Sequence, residues 1–117
     1  PRKLEVLEEH CGRLGRDISE ICVSWLGFMG IAPTEEAAEA GRKEFFQSRG
    51  VDWDAADDDF KAMLTSRMIF GGPDQVKEQI QGLLDLGLDG LTLNMPANGH
   101  DPEMVALAGE TLAPLFK

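Results

Sequence analysis

Few residues of this chain are of types that do chemistry, and they lie far apart in sequence. His100 follows Asn98 and Gly99 in the segment PANGHDP, directly after an apolar run that ends at Pro96. In parallel α/β proteins the loops after strand C-termini carry the chemistry, so a histidine there is a candidate substrate contact. Loops are also polar for solvation alone. Asn94, polar inside that apolar run, either faces a pocket or satisfies a neighbouring backbone group. His10 sits beside Glu9 on a helical pattern and reads as a surface residue. Cys11 and Cys22 fall in different elements and match no metal-ligand spacing, so both read as small core fillers rather than a disulfide.

Three denser patterns have plain structural explanations. Asp57, Asp58 and Asp59, with Asp52 and Asp54 nearby, suggest calcium by composition, but consecutive helical residues point about 100° apart and cannot converge on one ion. A solvated, acidic first helical turn accounts for them better. The turn Gly71–Gly72–Pro73 could offer backbone N–H groups to a phosphate, yet it lacks a lysine, carries Asp74 in the first turn, and reads first as a helix cap. Trp25, Phe28 and Met29 read as core rather than as the wall of a flat cofactor. No Ser–His–Asp or Cys–His arrangement, paired carboxylates or dinucleotide fingerprint is present, so no catalytic residue and no metal ligand is named.

The elements that must position these residues follow from periodicity. Leu4, Leu7, Cys11 and Leu14 form one helical stripe that Gly15 can end. Ile21–Ile31 is apolar on both parities, as expected for a strand covered on both faces. Thr34 is an N-cap for a helix reaching about Ser48, with Ala38, Gly41 and Phe45, and Phe46 as a further candidate, inward and Gly50 closing it. A third helix is expected from near Asp52, with Trp53, Ala56, Phe60, Met63 and Leu64 in phase, followed by a connector over 65–70. Gly72 and Pro73 start a fourth helix that Gly87 ends; Leu91–Met95 is a short strand stopped by Pro96; Asp101 and Pro102 start the last helix. The predicted order is helix, strand, helix, helix, helix, strand, helix.

A chain of 117 residues is long enough for one domain, 1–117, with a modest core. Its net charge of −10 argues against nucleic acid and anionic membrane as partners. No apolar run is long enough for a membrane span and no secretory leader is evident, which points to a cytoplasmic location. Two parallel strands make a deficient sheet, so self-association or a larger parent structure is expected.

Four segments together resemble a known family: KLEVLEEHCGRLGRDISEICVS; a strand with APTEEAAEAG; GGPDQVKEQIQGLLDLGLDGLTLNMP; and HDPEMVALAGETLAPL. Their order is similar to the C-terminal part of the bacterial luciferase-like monooxygenases, nearest the deazaflavin (factor 420)-dependent oxidoreductase branch. The resemblance implies the end of a (β/α)₈ TIM-type barrel, with Ile21–Ile31 as strand seven and Leu91–Met95 as strand eight. It implies FMN or deazaflavin as cofactor of the intact enzyme, with Gly30, Asn94, Met95 and Pro96 bordering it and His100 near a small-molecule substrate. The strands that supply most cofactor and catalytic contacts are not in this sequence, so the chain alone is expected to bind cofactor poorly or not at all. The competing expectation is a non-catalytic α/β module that forms a homo-oligomer through its strand edges.

Overall fold

The computed structural model describes residues 2–116. Helix α1 (Arg2–Leu14) ends where predicted: Gly15 takes φ +66°, its N–H reaches the Gly12 carbonyl, and the Arg16 N–H reaches the Cys11 carbonyl. That pair of bonds satisfies two orphan carbonyls, which is why a glycine stands there. A single 3₁₀ turn, Ile18–Glu20, leads into strand β1 (Ser24–Ile31). Then come α2 (Glu35–Ser48), α3 (Asp58–Thr65), β2 (Met68–Gly71), α4 (Pro73–Leu84), β3 (Gly90–Asn94), α5 (Pro102–Leu112) and a terminal 3₁₀ turn, Ala113–Phe116.

The caps behave as read. Thr34 Oγ1 accepts from the Ala37 N–H at 3.1 Å, and Asp101 Oδ1 accepts from the Glu103 N–H at 2.9 Å. Asp57 Oδ1 accepts from the Phe60 N–H at 2.7 Å, so α3 begins about five residues after Asp52, and Trp53 precedes it in a turn. The acidic run thus has local partners: Asp52 Oδ1 accepts from the Ala55 N–H, and Asp54 pairs with Lys43 at 2.8 Å.

The sheet corrects the sequence reading most. Residues 65–70 are not a mere connector: Met68–Gly71 is a third strand, wholly buried. All three strands are parallel, in the order β2-β1-β3, with Phe28 opposite Met68 on one side and Asn94 on the other. The chain crosses from β1 to β2 through α2 and α3 on one face. It returns past β1 to β3 through α4 on the other face. Opposite faces are what a constant crossover hand requires when the winding direction reverses.

Two cores result. Met29, Ile31, Ile69, Val76, Ile80, Ala108 and Leu112 join the sheet to α4 and α5, while Ala32, Ala38, Phe46, Trp53, Met68 and Phe70 join the opposite face to α2 and the α3 region. In the second core the Phe46 and Trp53 rings stack at 5.1 Å with only 4° between planes. That face is covered over β2 and the end of β1. Leu26 and Phe28 are 71% and 48% exposed there, so β1 is not buried on both faces as expected. Cys11 is buried, but Cys22 is exposed rather than a core filler.

Shape and edges agree with an incompletely covered body. The radius of gyration is 16.7 Å, where a compact chain of this length has about 13 Å. The accessible area is 7765 Å², against roughly 6,300 Å² for a compact monomer of this mass. The β2 edge carries a guard: Gly71 O accepts from the N–H of Ala32, just past β1, so the preceding Phe70 carbonyl points outward, and Arg42 Nη2 donates to it at 2.6 Å. The outer edge of β3 carries no comparable guard among the described residues.

Candidate functional site

Order β2-β1-β3 places a switch point between β1 and β3, where the connections leave in opposite directions. In open α/β sheets, ligands bind in the crevice outside the carboxyl ends at that point. Here one wall is the second half of α2, and the other is the loop from β3 to α5. Asn98 Nδ2 spans the crevice and donates to the Ile31 carbonyl at 2.6 Å, holding the loop to the end of β1. The loop also turns on itself, with Gly99 N–H to Met95 O at 2.8 Å and Asp101 N–H to Asn98 O at 3.0 Å. Asn98 Oδ1 is buried and has no partner.

A cavity of about 540 Å³ lies beside this loop, lined by Gly41, Glu44, Phe45, Ser48 and Arg49 of α2 and its end, by Phe70, and by Pro96, Ala97, Asn98, His100 and Asp101. A groove of about 460 Å³ adjoins it, sharing Phe45, Arg49 and Pro96 and adding Phe28, Phe46, Val51, Leu64, Arg67 and Met68. Both fall in the usual range of ligand sites, about 300–1,000 Å³.

The residues named from sequence divide between several places. Pro96 and His100 line the cavity. Asn94 is exposed on the open sheet face opposite Phe28. Met95 packs against the α4–α5 core, away from the cavity. Gly30 is buried, and its glycine identity has a packing cause: a Cβ there would lie 2.5 Å from Phe70 Cδ2. No cofactor could border Gly30 without first displacing that ring.

The Gly71–Gly72–Pro73 turn is occupied by the chain itself. Glu35 Oε1 accepts from the Gly72 N–H at 2.7 Å, so the anion at the start of α4 is an internal carboxylate. Among the described residues, no group of three or more His, Cys, Asp and Glu side chains is placed to hold a metal ion. Sequence reading missed Asn98 as the clasp and missed Arg49, Arg67 and Phe45 as lining. Only Asn98, a loop amide next to the residues already named, left a trace that could have been followed.

This chain matches no family profile, no curated protein and no solved structure. Architecture and geometry therefore carry the functional reading. The chain is an α/β structure with five helices and a three-stranded parallel sheet, and no helix among the described residues is long and apolar enough to cross a membrane.

Proposed function

We propose that this chain is the C-terminal segment of a luciferase-like flavin- or deazaflavin-dependent oxidoreductase, forming one rim of its active site without completing it. The observation that supports this most is the loop after β3. Pro96, Asn98 and His100 stand together at the carboxyl end of a parallel strand, around a cavity, where such folds gather their reacting groups. The lining suits the edge of such a cofactor. Asn98 Oδ1 is a buried acceptor that a ring N–H would satisfy, Phe45 offers a ring face, and Arg49 offers a cation for phosphate.

When bound, the cofactor supplies hydride transfer or, for a flavin, oxygen activation. The residues of this chain bind and orient. Asn98 fixes the loop to β1, Pro96 stiffens its start, and His100 faces the cavity as a substrate contact.

The excess surface and long shape fit a segment that another body covers. In a barrel, however, strands follow one another in sequence order and all helices lie outside. The order β2-β1-β3 with helices on both faces departs from both rules. The pairing of β1 with β3 suits strands seven and eight as neighbours, so the reading requires β2 to leave the other border of β1 once the remaining strands are present.

The test is fluorescence titration of the chain with FMN and with the deazaflavin coenzyme. Saturable binding at or below about 100 μM, weakened by Asn98→Ala, supports the rim assignment. No saturation with either coenzyme up to about 1 mM removes a cofactor role from this chain.

A second reading, a non-catalytic oligomerising module, is favoured by one observation of its own. The uncovered sheet face with Leu26 and Phe28 lies next to the unguarded β3 edge. A stable, concentration-dependent dimer in sedimentation, with no coenzyme bound, would select it.

A further inference from the structure

We infer that the groove between β1, the end of α2 and the start of β2 binds a planar aromatic anion. Its lining is aromatic: Phe28 stands 48% exposed on the sheet, and Phe45 and Phe46 meet edge to face at 5.3 Å and 65°. Such surfaces favour flat ligands, because offset and edge-to-face ring contacts add to simple burial.

Two cations stand at its lips. The Arg49 guanidinium lies 5.1 Å from the Phe45 ring centroid, and Arg67 lines the groove just before β2. Stacking on Phe45 presents the Arg49 fork at the groove wall. A guanidinium held in this way offers paired donors to a carboxylate or phosphate while its face contacts a ring.

What makes these arginines informative is where they stand. Acidic residues outnumber Lys and Arg by 21 to 11. Among the described residues neither Arg49 nor Arg67 pairs with a carboxylate, which is equally true of Arg2, Lys3, Arg13, Lys61 and Lys77, but of these only Arg49 and Arg67 line the aromatic groove. In so acidic a chain, two unpaired guanidiniums beside an aromatic groove form a local positive site that a neutral ligand would leave unused. The groove, at about 460 Å³, holds a small ring system with one anionic group and not a polymer.

The inference rests on the groove alone and does not depend on the oxidoreductase reading. Calorimetric titration of the whole chain with 2-naphthoate, 2-naphthyl phosphate and neutral 2-naphthol tests it. The expected result is saturable binding of at least one anion with Kd below about 1 mM. The neutral compound should bind roughly tenfold more weakly. The tighter anion identifies carboxylate or phosphate as the natural group.

Arg67→Ala should weaken the anion about tenfold, with Arg67→Lys between, and added salt should weaken it further. Arg67 is exposed, so folding is not at stake; Arg49→Lys and a control Arg16→Ala accompany it. No saturable anion binding, equal binding of 2-naphthol, or an unchanged affinity in Arg67→Ala would overturn the inference. Naphthyl binding without FMN binding would uphold it while removing a cofactor role from this chain, so the two failures are distinguishable.

Discussion

Replacing Gly30 by alanine should destabilise the chain far more than a single methyl group suggests. The added Cβ would lie 2.5 Å from Phe70 Cδ2 and 2.7 Å from Cζ, whereas carbon atoms pack at about 3.5–4.0 Å. The ring must therefore withdraw by roughly 1 Å. Its retreat is confined: Phe70 is 3% exposed, and the Arg42 guanidinium lies 5.8 Å from its ring centroid while bonded to the Phe70 carbonyl. Overpacking of this kind costs about 1–3 kcal/mol. For a domain of this size that lowers Tm by roughly 4–15 °C.

Urea unfolding followed by circular dichroism measures the loss, and a double-mutant cycle with Phe70→Leu locates its cause. Phe70→Leu alone should cost about 1 kcal/mol by leaving a small cavity. In the double variant the leucine makes room for the methyl, so the losses should fall short of additivity by about 0.5–3 kcal/mol. If Gly30→Ala shifts stability by less than about 0.5 kcal/mol, or if the two changes simply add, the packing explanation of this glycine fails.

Three other expectations are simpler. Glu35→Ala removes the carboxylate that accepts from the Gly72 N–H; stability should fall by about 1–2 kcal/mol, and the Gly72 amide should exchange its hydrogen faster. Asn98→Ala cuts the clasp to the Ile31 carbonyl; amides of residues 97–101 should lose exchange protection while those of β2 keep theirs. The Asp17 carboxyl, which accepts from the Ser19 N–H, is held below its usual range by that bond. Because its folded value is depressed, its contribution is present above the unfolded value of about 3.9 and is lost as pH falls through the folded value. Asp17→Asn should therefore flatten the acid limb of the stability profile below about pH 4.

The helices were legible because their ends are written in local chemistry. Thr34, Asp101 and the Gly72–Pro73 pair each act within a few residues of themselves. The strand β3 was legible for the same reason, bounded by Gly87 and Pro96. Strand β2 was not: Met68–Gly71 is four buried residues with no alternation, and a short apolar run reads equally as a loop or a strand. Its existence is decided by the register with Phe28–Ile31, forty residues away in sequence. The site divided along the same line. His100, named for its position after a strand, and Pro96, named through the resemblance, both line the cavity, but Arg49, Arg67 and Phe45 come together only because β2 returns beside β1. Gly30 packs under the Phe70 ring, a contact that no periodicity announces.

The guanidinium of Arg42 on the Phe70 carbonyl has a meaning for the fate of these chains in a crowded solution. A sheet open at both borders can recruit neighbours on each side and lengthen without limit, which is how fibres grow. With the Phe70 carbonyl capped, strand addition is disfavoured at β2, and addition through β3 alone would use up the vacant ladder on both molecules. Such growth would close at a pair, so the arginine biases strand addition away from endless lengthening.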